Sequence, residues 1–420
     1  MIKSIKRTYH EYPQLFWIVV GTLFVDSLGS TLLFPFFALY ITKRFGVGMT
    51  QAGILLGMSS LFGLIGSVLG GALTDRFGRR TLILFGLVFS ALSSLLFGLA
   101  WDITMMYGLV VIVGLLSRIA APAQDAMMAD ILPESKRQEG FGITRIAYNY
   151  AWIVGTALGG LIAARSFMAL FVLDAVLSLA VAAVLYRFLP ETRPAPRAET
   201  KQEDSLLKTV KGYRVVLRDL AYIAFTLAGM IVLVVYQQQY SSLAVYLNDV
   251  HDISTRTYGI MLSVAGLEVV IFQLWVSRQT RKYPPFLMMV LGSIFFMAGF
   301  SMIGFVQQQV SFLLAVIIIT AGEMVMFPTN KALAVNFAPA EMRGRYMAIY
   351  DLGWTVPATL GPAAAGLILD NFNPNLLWAI GGLLCALAAA SFYAMHLRLG
   401  TQKRFVPVPV EPDTQPVEVS

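Results

Sequence analysis

The chain has 420 residues, 57% of them hydrophobic and only 13% charged, with a mean hydropathy of +0.70 and a net charge of +7. A soluble domain carries roughly 25% charged residues, so the composition excludes one and points to a membrane protein. The positive charge lies in short gaps between apolar runs, with no basic stripe interleaved with aromatics, which excludes a nucleic-acid surface and makes the charge a topology signal.

A bilayer core about 30 Å thick asks for about 20 apolar residues per helix. Twelve stretches qualify, near 14–41, 51–73, 81–101, 104–127, 140–163, 167–189, 219–247, 257–277, 286–306, 311–334, 345–369 and 375–396, which predicts an all-α polytopic membrane protein. The first stretch follows Lys3, Lys6 and Arg7 without a small-residue cleavage site, so it reads as a retained helix and not a secretory signal. Between the second and third stretches, Gly71 to Arg80 forms a charged staple in which Asp75 closes one helix, Gly78 permits a tight turn, and Arg79 and Arg80 open the next. The small-residue pairs Gly53/Gly57, Gly66/Gly70 and Gly155/Gly159 allow close helix contact.

The polar stretch 190–218 divides the spans six and six, giving expected bundles at 1–194 and 219–400, a linker at 195–218 and a disordered tail at 401–420. Within the linker, Leu206, Leu207, Val210, Tyr213 and Leu217 suit an amphipathic helix on the inner membrane face; a plain solvated linker is the other reading. With the amino terminus inside, inner segments hold 24 of the 31 lysines and arginines and outer loops hold only Lys43, Arg44, Arg165 and Arg256, so both termini are expected in the cytoplasm. Arg118, Arg145 and Lys331 fall within or near the membrane. A shift of 206 residues lays Pro122 on Pro328, Pro133 on Pro339, Arg137 on Arg343, Gly155 on Gly361 and Gly160 on Gly366, the mark of two parallel repeats of six helices.

The staple matches Gly-x-Leu-x-Asp-Arg-x-Gly-Arg-Arg at Gly71, Leu73, Asp75, Arg76, Gly78, Arg79 and Arg80, and here the chain resembles the major facilitator superfamily. Arg118 matches that family's intramembrane arginine of the fourth helix. Gly155 to Gly160 resembles the fifth-helix motif of proton-coupled antiporters, with Thr156 in place of its proline. Gly322-Glu323 with Pro328, then Arg343, Trp354 and Gly361-Pro362, look like the corresponding helices of proton-driven multidrug exporters. The resemblance implies two pseudo-symmetric six-helix bundles, with Asp75 facing the start of the eleventh helix as a conformational switch to which Gly155 and Gly159 also belong.

An acid inside an apolar span is costly when ionised, which makes Glu323, Asp26 and Glu268 candidates for proton coupling; structural pairing with an arginine or tyrosine is the alternative. Arg118 needs a polar or anionic neighbour, either as a fixed ion pair or as a field that tunes a nearby acid. Asp130 and Arg145 read as a gate pair. Tyr236, Gln237, Gln238, Gln239 and Tyr240 can present one or two polar side chains to a cavity, with Tyr148, Asn149, Trp152 and Trp354 as further lining. Such a cavity accepts bulky apolar cations.

The expected function is therefore proton-coupled export of lipophilic, cationic compounds by a non-enzymatic monomer of the bacterial inner membrane. It is powered by the proton gradient with no cofactor and no metal. The alternatives are a lipid or glycolipid flippase and a proton-coupled small-metabolite symporter. His10, His251 and His396, with the single Cys385, form no spacing for metal or nucleophilic chemistry, and one cysteine forms no intrachain disulfide.

Overall fold

The computed structural model describes residues 11–133, 136–192, 213–339, 342–402 and 405; at Ala72, Asp75 and Gln138 the description covers the backbone only. Among these residues twelve helices are long and apolar enough to cross a membrane. Spans 1 to 6 are Gln14–Phe45, Met49–Gly71, Arg79–Leu99, Ile103–Ile131, Glu139–Ala163 and Phe167–Phe188. Spans 7 to 12 are Leu220–Ser241, Thr255–Thr280, Pro285–Ile303, Gln309–Phe337, Arg343–Asn371 and Asn375–Leu399. The fold is all-α, with twelve transmembrane helices in two pseudo-symmetric six-helix bundles. The basic amino terminus, most of the linker and nearly all of the tail lie outside the described residues.

Local chemistry explains the ends and breaks. Gly46 closes span 1 in the left-handed region at φ 63°, and Gly78, at φ 89°, separates the helix of span 2 from span 3. The Asp102 carboxylate accepts from the Met105 N–H at 2.6 Å to start span 4, and Ser166 does the same for span 6 through Ala169 at 3.3 Å. Pro35 sits in a 3-10 turn inside span 1, and span 4 is broken between Ser117 and Ala121, with Arg118 in the break. Pro328, Pro357 and Pro362 lie within continuous helices, where neighbouring helices can satisfy the freed carbonyls.

The repeat is visible helix by helix. Helices beginning at Gln14, Met49, Arg79, Ile103 and Arg137 have counterparts beginning 206 residues later, at Leu220, Thr255, Pro285, Gln309 and Arg343. Even a turn repeats: the Lys136 N–H donates to Pro133 O at 2.9 Å and the Met342 N–H to Pro339 O at 3.0 Å. By backbone packing the chain forms two compact units, one of Met1–Glu203, Tyr236–Leu267 and Thr355–Leu377, the other of Asp204–Val235, Glu268–Trp354 and Trp378–Ser420.

Candidate functional site

Within the first unit, two seams close the end of the spans that carries Gly46. In one, glycines of span 2 meet the backbone of span 11: a Cβ on Gly53 would overlap Pro362, one on Gly57 would overlap the Thr359 carbonyl, and one on Gly366 would overlap Met49 and Thr50. In the other, span 5 meets span 8: a Cβ on Gly160 would overlap the Thr255 carbonyl, and one on Gly259 the Thr156 carbonyl. Glycine permits such backbone approach where any other residue would hold the helices apart. The seams are repeats of each other, since 206 residues carry Met49 to Thr255, Gly53 to Gly259, Thr156 to Pro362 and Gly160 to Gly366.

Their polar chemistry differs. The Asp370 carboxylate, at the end of span 11, accepts from the backbone N–H groups of Met49 and Thr50, each at 2.8 Å, and so caps span 2. Its charge also complements the positive end of that helix. Ala164 holds the repeat position of Asp370. The second seam instead uses hydroxyls: Ser263 donates to Ile153 O at 2.8 Å, and Thr156 Oγ1 lies 2.9 Å from Ser263 Oγ.

At the opposite end, Glu191 caps the staple, accepting from the N–H groups of Arg79 at 2.9 Å and Arg80 at 3.2 Å. The Arg80 side chain donates to Tyr186 O at 2.7 Å, and Arg79 pairs with Asp130 at 3.2 Å. Asp130 also accepts from Thr192 at 2.9 Å. Asp130 thus meets Arg79 of the staple, where the sequence had suggested Arg145; Arg145 is exposed. Arg76 lies over the Phe77 ring, Gly71 has open space around it, and Arg343 is exposed at the start of span 11. The Asp75 side chain lies outside the described residues. Gly155 and Gly159 pack against Thr31 and Leu32 of span 1, where Thr31 donates to Ala151 O at 3.0 Å.

Two acids singled out from sequence come together in the second unit. Glu268 of span 8 lies in the electrostatic field of Glu323 of span 10, and Glu268 Oε2 is buried without a hydrogen-bond partner. Gln273, a turn further along span 8, ties the two helices by donating to Met324 O at 3.1 Å. Lys331 of span 10 lies in the field of Asp351 of span 11. The repeat equivalents of this pair are Asp125 and Arg145, so the charge order is inverted between the halves.

In the first unit Asp26 lines a cavity of about 90 Å³ together with Thr22, Gln124, Asp125 and Thr144. Tyr148 lies in the field of Arg118, whose aliphatic stem lies over Gly63 of span 2. Among the expected cavity residues, Trp152, Tyr236 and Tyr240 converge: the Trp152 and Tyr240 rings are 5.3 Å apart, Phe34 lies beside both, and the Tyr236 and Tyr240 hydroxyls are 3.0 Å apart. Gln238 is buried and accepts from Ser241 at 3.1 Å and Ser242 at 2.8 Å; Gln239 is buried beside it. Gln237 and Asn149 are half-buried, and Trp354 stacks edge-on against Phe327 at 5.0 Å. Three acids not singled out from sequence are placed at junctions: Glu191, Asp370 and Asp174. Asp174 is the one that hydropathy could have flagged, since it is an acid inside an apolar run.

The curated relatives include the uncharacterised transporter YttB of Bacillus subtilis, 29% identical over 87% of this chain and 91% of its own. The Na(+), Li(+), K(+)/H(+) antiporter of Planococcus maritimus is 26% identical over 82% and 87%, and multidrug resistance protein 2 of Bacillus subtilis is 24% identical over 89% and 94%. Among solved structures, the nucleoside transporter NupG superposes with a TM-score of 0.78 at 13% identity, over 91% of this chain and 100% of the other, a likeness of fold. The profile of the Major Facilitator Superfamily matches residues 19–362 and 240–417. Spans and profile agree, and this multi-pass membrane protein belongs to the Major Facilitator Superfamily.

Proposed function

We propose that the chain carries a small organic solute across the membrane with Glu268 and Glu323 as the coupling pair. The observation that supports this is their juxtaposition. Two carboxylates within one another's field in an apolar setting do not both ionise readily, so one proton is held or released as the surroundings change. In this reading the staple faces the cytoplasm with both termini, the Gly46 end faces outside, and 1–194 and 219–400 rock about the linker 195–218.

Uptake by proton symport is the first reading. The proline that the resemblance ties to antiport is replaced in span 5 by Thr156, whose hydroxyl bonds within its own helix to Trp152 O at 2.8 Å and reaches Ser263. Export of lipophilic cations is the second, favoured by the Phe34, Trp152 and Tyr240 aromatic group and by the multidrug resistance relative. Lipid flipping would require a labelled lipid to change leaflets in vesicles containing the protein.

The test is a solute panel in proteoliposomes under pH gradients of either sign. Gradient-driven accumulation is expected for symport and gradient-driven loss for export. Glu323→Gln and Glu268→Gln are expected to lower coupled transport by at least about tenfold, the equivalent of about 1.4 kcal/mol, with cargo exchange at equal pH retained. Full coupling in both variants overturns the assignment.

A further inference from the structure

A second pair of acids lies inside the first bundle, apart from Glu268 and Glu323. Asp174, the eighth residue of span 6, is 5% exposed and accepts a hydrogen bond from Ser94 of span 3. Its carboxylate lies against Gly29 of span 1, where a Cβ would overlap it. One turn before Gly29 stands Asp26, in the field of Asp174, and one turn after Asp174 stands Ser178, beside Asp26. Spans 1 and 6 therefore present a carboxylate and a hydroxyl on one side and a second carboxylate on the other. The Ser178 oxygen is buried, with the residue 1% exposed, and lies beside the Asp26 carboxylate without a hydrogen bond of standard geometry.

Among the described residues no lysine, arginine or histidine forms an ion pair with either acid. Asp125 of span 4 is the other titratable group that opens on the Asp26 cavity; span 5 adds the Thr144 hydroxyl there, span 3 lines it with Ile83 and Leu87, and the Ser94 hydroxyl of span 3 meets Asp174 instead. Burying one carboxylate costs several kcal/mol unless it is compensated, and two facing one another cost more.

The second bundle serves as an internal control. At the positions matching Asp26 and Ser94 stand Val232 and Phe300, and the eighth and twelfth residues of span 12, matching Asp174 and Ser178, are Gly382 and Ala386. There Phe300 stacks on Trp378 at 6.4 Å and the Ser301 hydroxyl lies against Gly382, so the matching positions carry no carboxylate. The packing of three helices does not require this polar set, yet the first bundle carries it.

We propose that Asp26 and Asp174, with the hydroxyls of Ser94 and Ser178, form a site that holds either one proton or one alkali-metal cation. Carboxylate and hydroxyl oxygens are hard donors suited to such ions. Exchanging a proton for a monovalent cation leaves the charge of the site unchanged, whereas a divalent ion would not. Of the four groups, Asp26 opens on the cavity, where Thr22, Gln124, Asp125 and Thr144 are polar groups on an otherwise apolar wall.

The experiment is thermal unfolding of the purified full chain in sodium, lithium, potassium or choline chloride at equal ionic strength, at acidic and alkaline pH, with binding of radioactive sodium alongside. A ligand that binds the folded state raises Tm. At least one alkali salt is expected to raise Tm above choline at alkaline pH, less so in acid where protons compete, with saturable sodium binding. Asp174→Asn is expected to abolish both signals and Ser178→Ala to weaken them; should Asp174→Asn fail to fold, Ser94→Ala replaces it. Glu268→Gln and Glu323→Gln are expected to keep them, which separates this site from the coupling pair. Equal Tm in alkali and choline salts at both pH values, or an unchanged alkali effect in the Asp174 and Ser178 variants, overturns the proposal.

Discussion

The seam between spans 2 and 11 and the seam between spans 5 and 8 are the same contact made twice, and their one chemical difference is instructive. Both rely on glycine against backbone at repeat-related positions. Only the first is fastened by a charge, Asp370 on the N–H groups of Met49 and Thr50, while the second is fastened by Thr156 and Ser263 hydroxyls. The shape of the closure thus comes from glycine placement, and its strength is adjusted separately by whichever polar group lies nearby. A carboxylate at a helix start contributes about 0.3–1 kcal/mol when exposed and up to about 2 when partly buried, and a neutral hydrogen bond about 0.5–1.5. The two fasteners are similar in size but respond to different perturbations.

The largest effect is expected from filling either seam. Gly53→Leu and Gly259→Leu each force the helices apart, and overpacking of this kind costs about 1–3 kcal/mol. Each should reduce transport by at least about tenfold and leave a cysteine placed at the Gly46 end reactive toward an impermeant thiol reagent. Wild-type transport in either variant would show that its seam takes no part in the cycle. Next comes the charged fastener: Asp370→Asn should shift the same accessibility by roughly fivefold toward the open state, about 1 kcal/mol. Ala164→Asp, which offers the span 5 seam a carboxylate facing the start of span 8, should shift it the other way.

A smaller change is expected from Ser263→Ala, which removes hydroxyl bonds across the second seam and should alter accessibility by about 0.5–1.5 kcal/mol; an effect larger than that of Asp370→Asn would reverse the ranking of the two fasteners. The smallest is expected from Glu191→Gln at the staple, where the cap is exposed and the geometry can persist. Loss of charge there should lower Tm slightly, by about 0.3–1 kcal/mol in stability terms, and less so in high salt.

Much of this architecture is legible in the sequence because hydropathy and backbone satisfaction leave a membrane chain few options. The twelve spans, the staple and the 206-residue shift all follow from composition and spacing. Glu268 and Glu323 are visible as acids in apolar runs, and the structure adds that Glu268 lies in the field of Glu323. Asp370 and Glu191 are less legible because they stand at helix ends, where an acid is ordinary; what singles them out is the glycine each lies against, Gly48 and Gly78, hundreds or scores of residues away. Asp174 obeys the rule that marks Asp26, but its meaning depends on Gly29 opening span 1 beside it. Arg79 and Asp130 illustrate a different limit, since charge alone cannot say which of several arginines an acid will meet.

Glycine-to-carbonyl contact at the seams also bears on how such a carrier can diversify. Gly53, Gly57, Gly160 and Gly259 present no side chain toward the helix they touch, so no cargo-specific chemistry is written into the parts that close. In the proposed reading, where Trp152 and Tyr240 meet the cargo, substitutions around them change what is carried while the glycine contacts keep their fit, an independence of cargo choice from moving parts that lets one scaffold serve many solutes without being rebuilt.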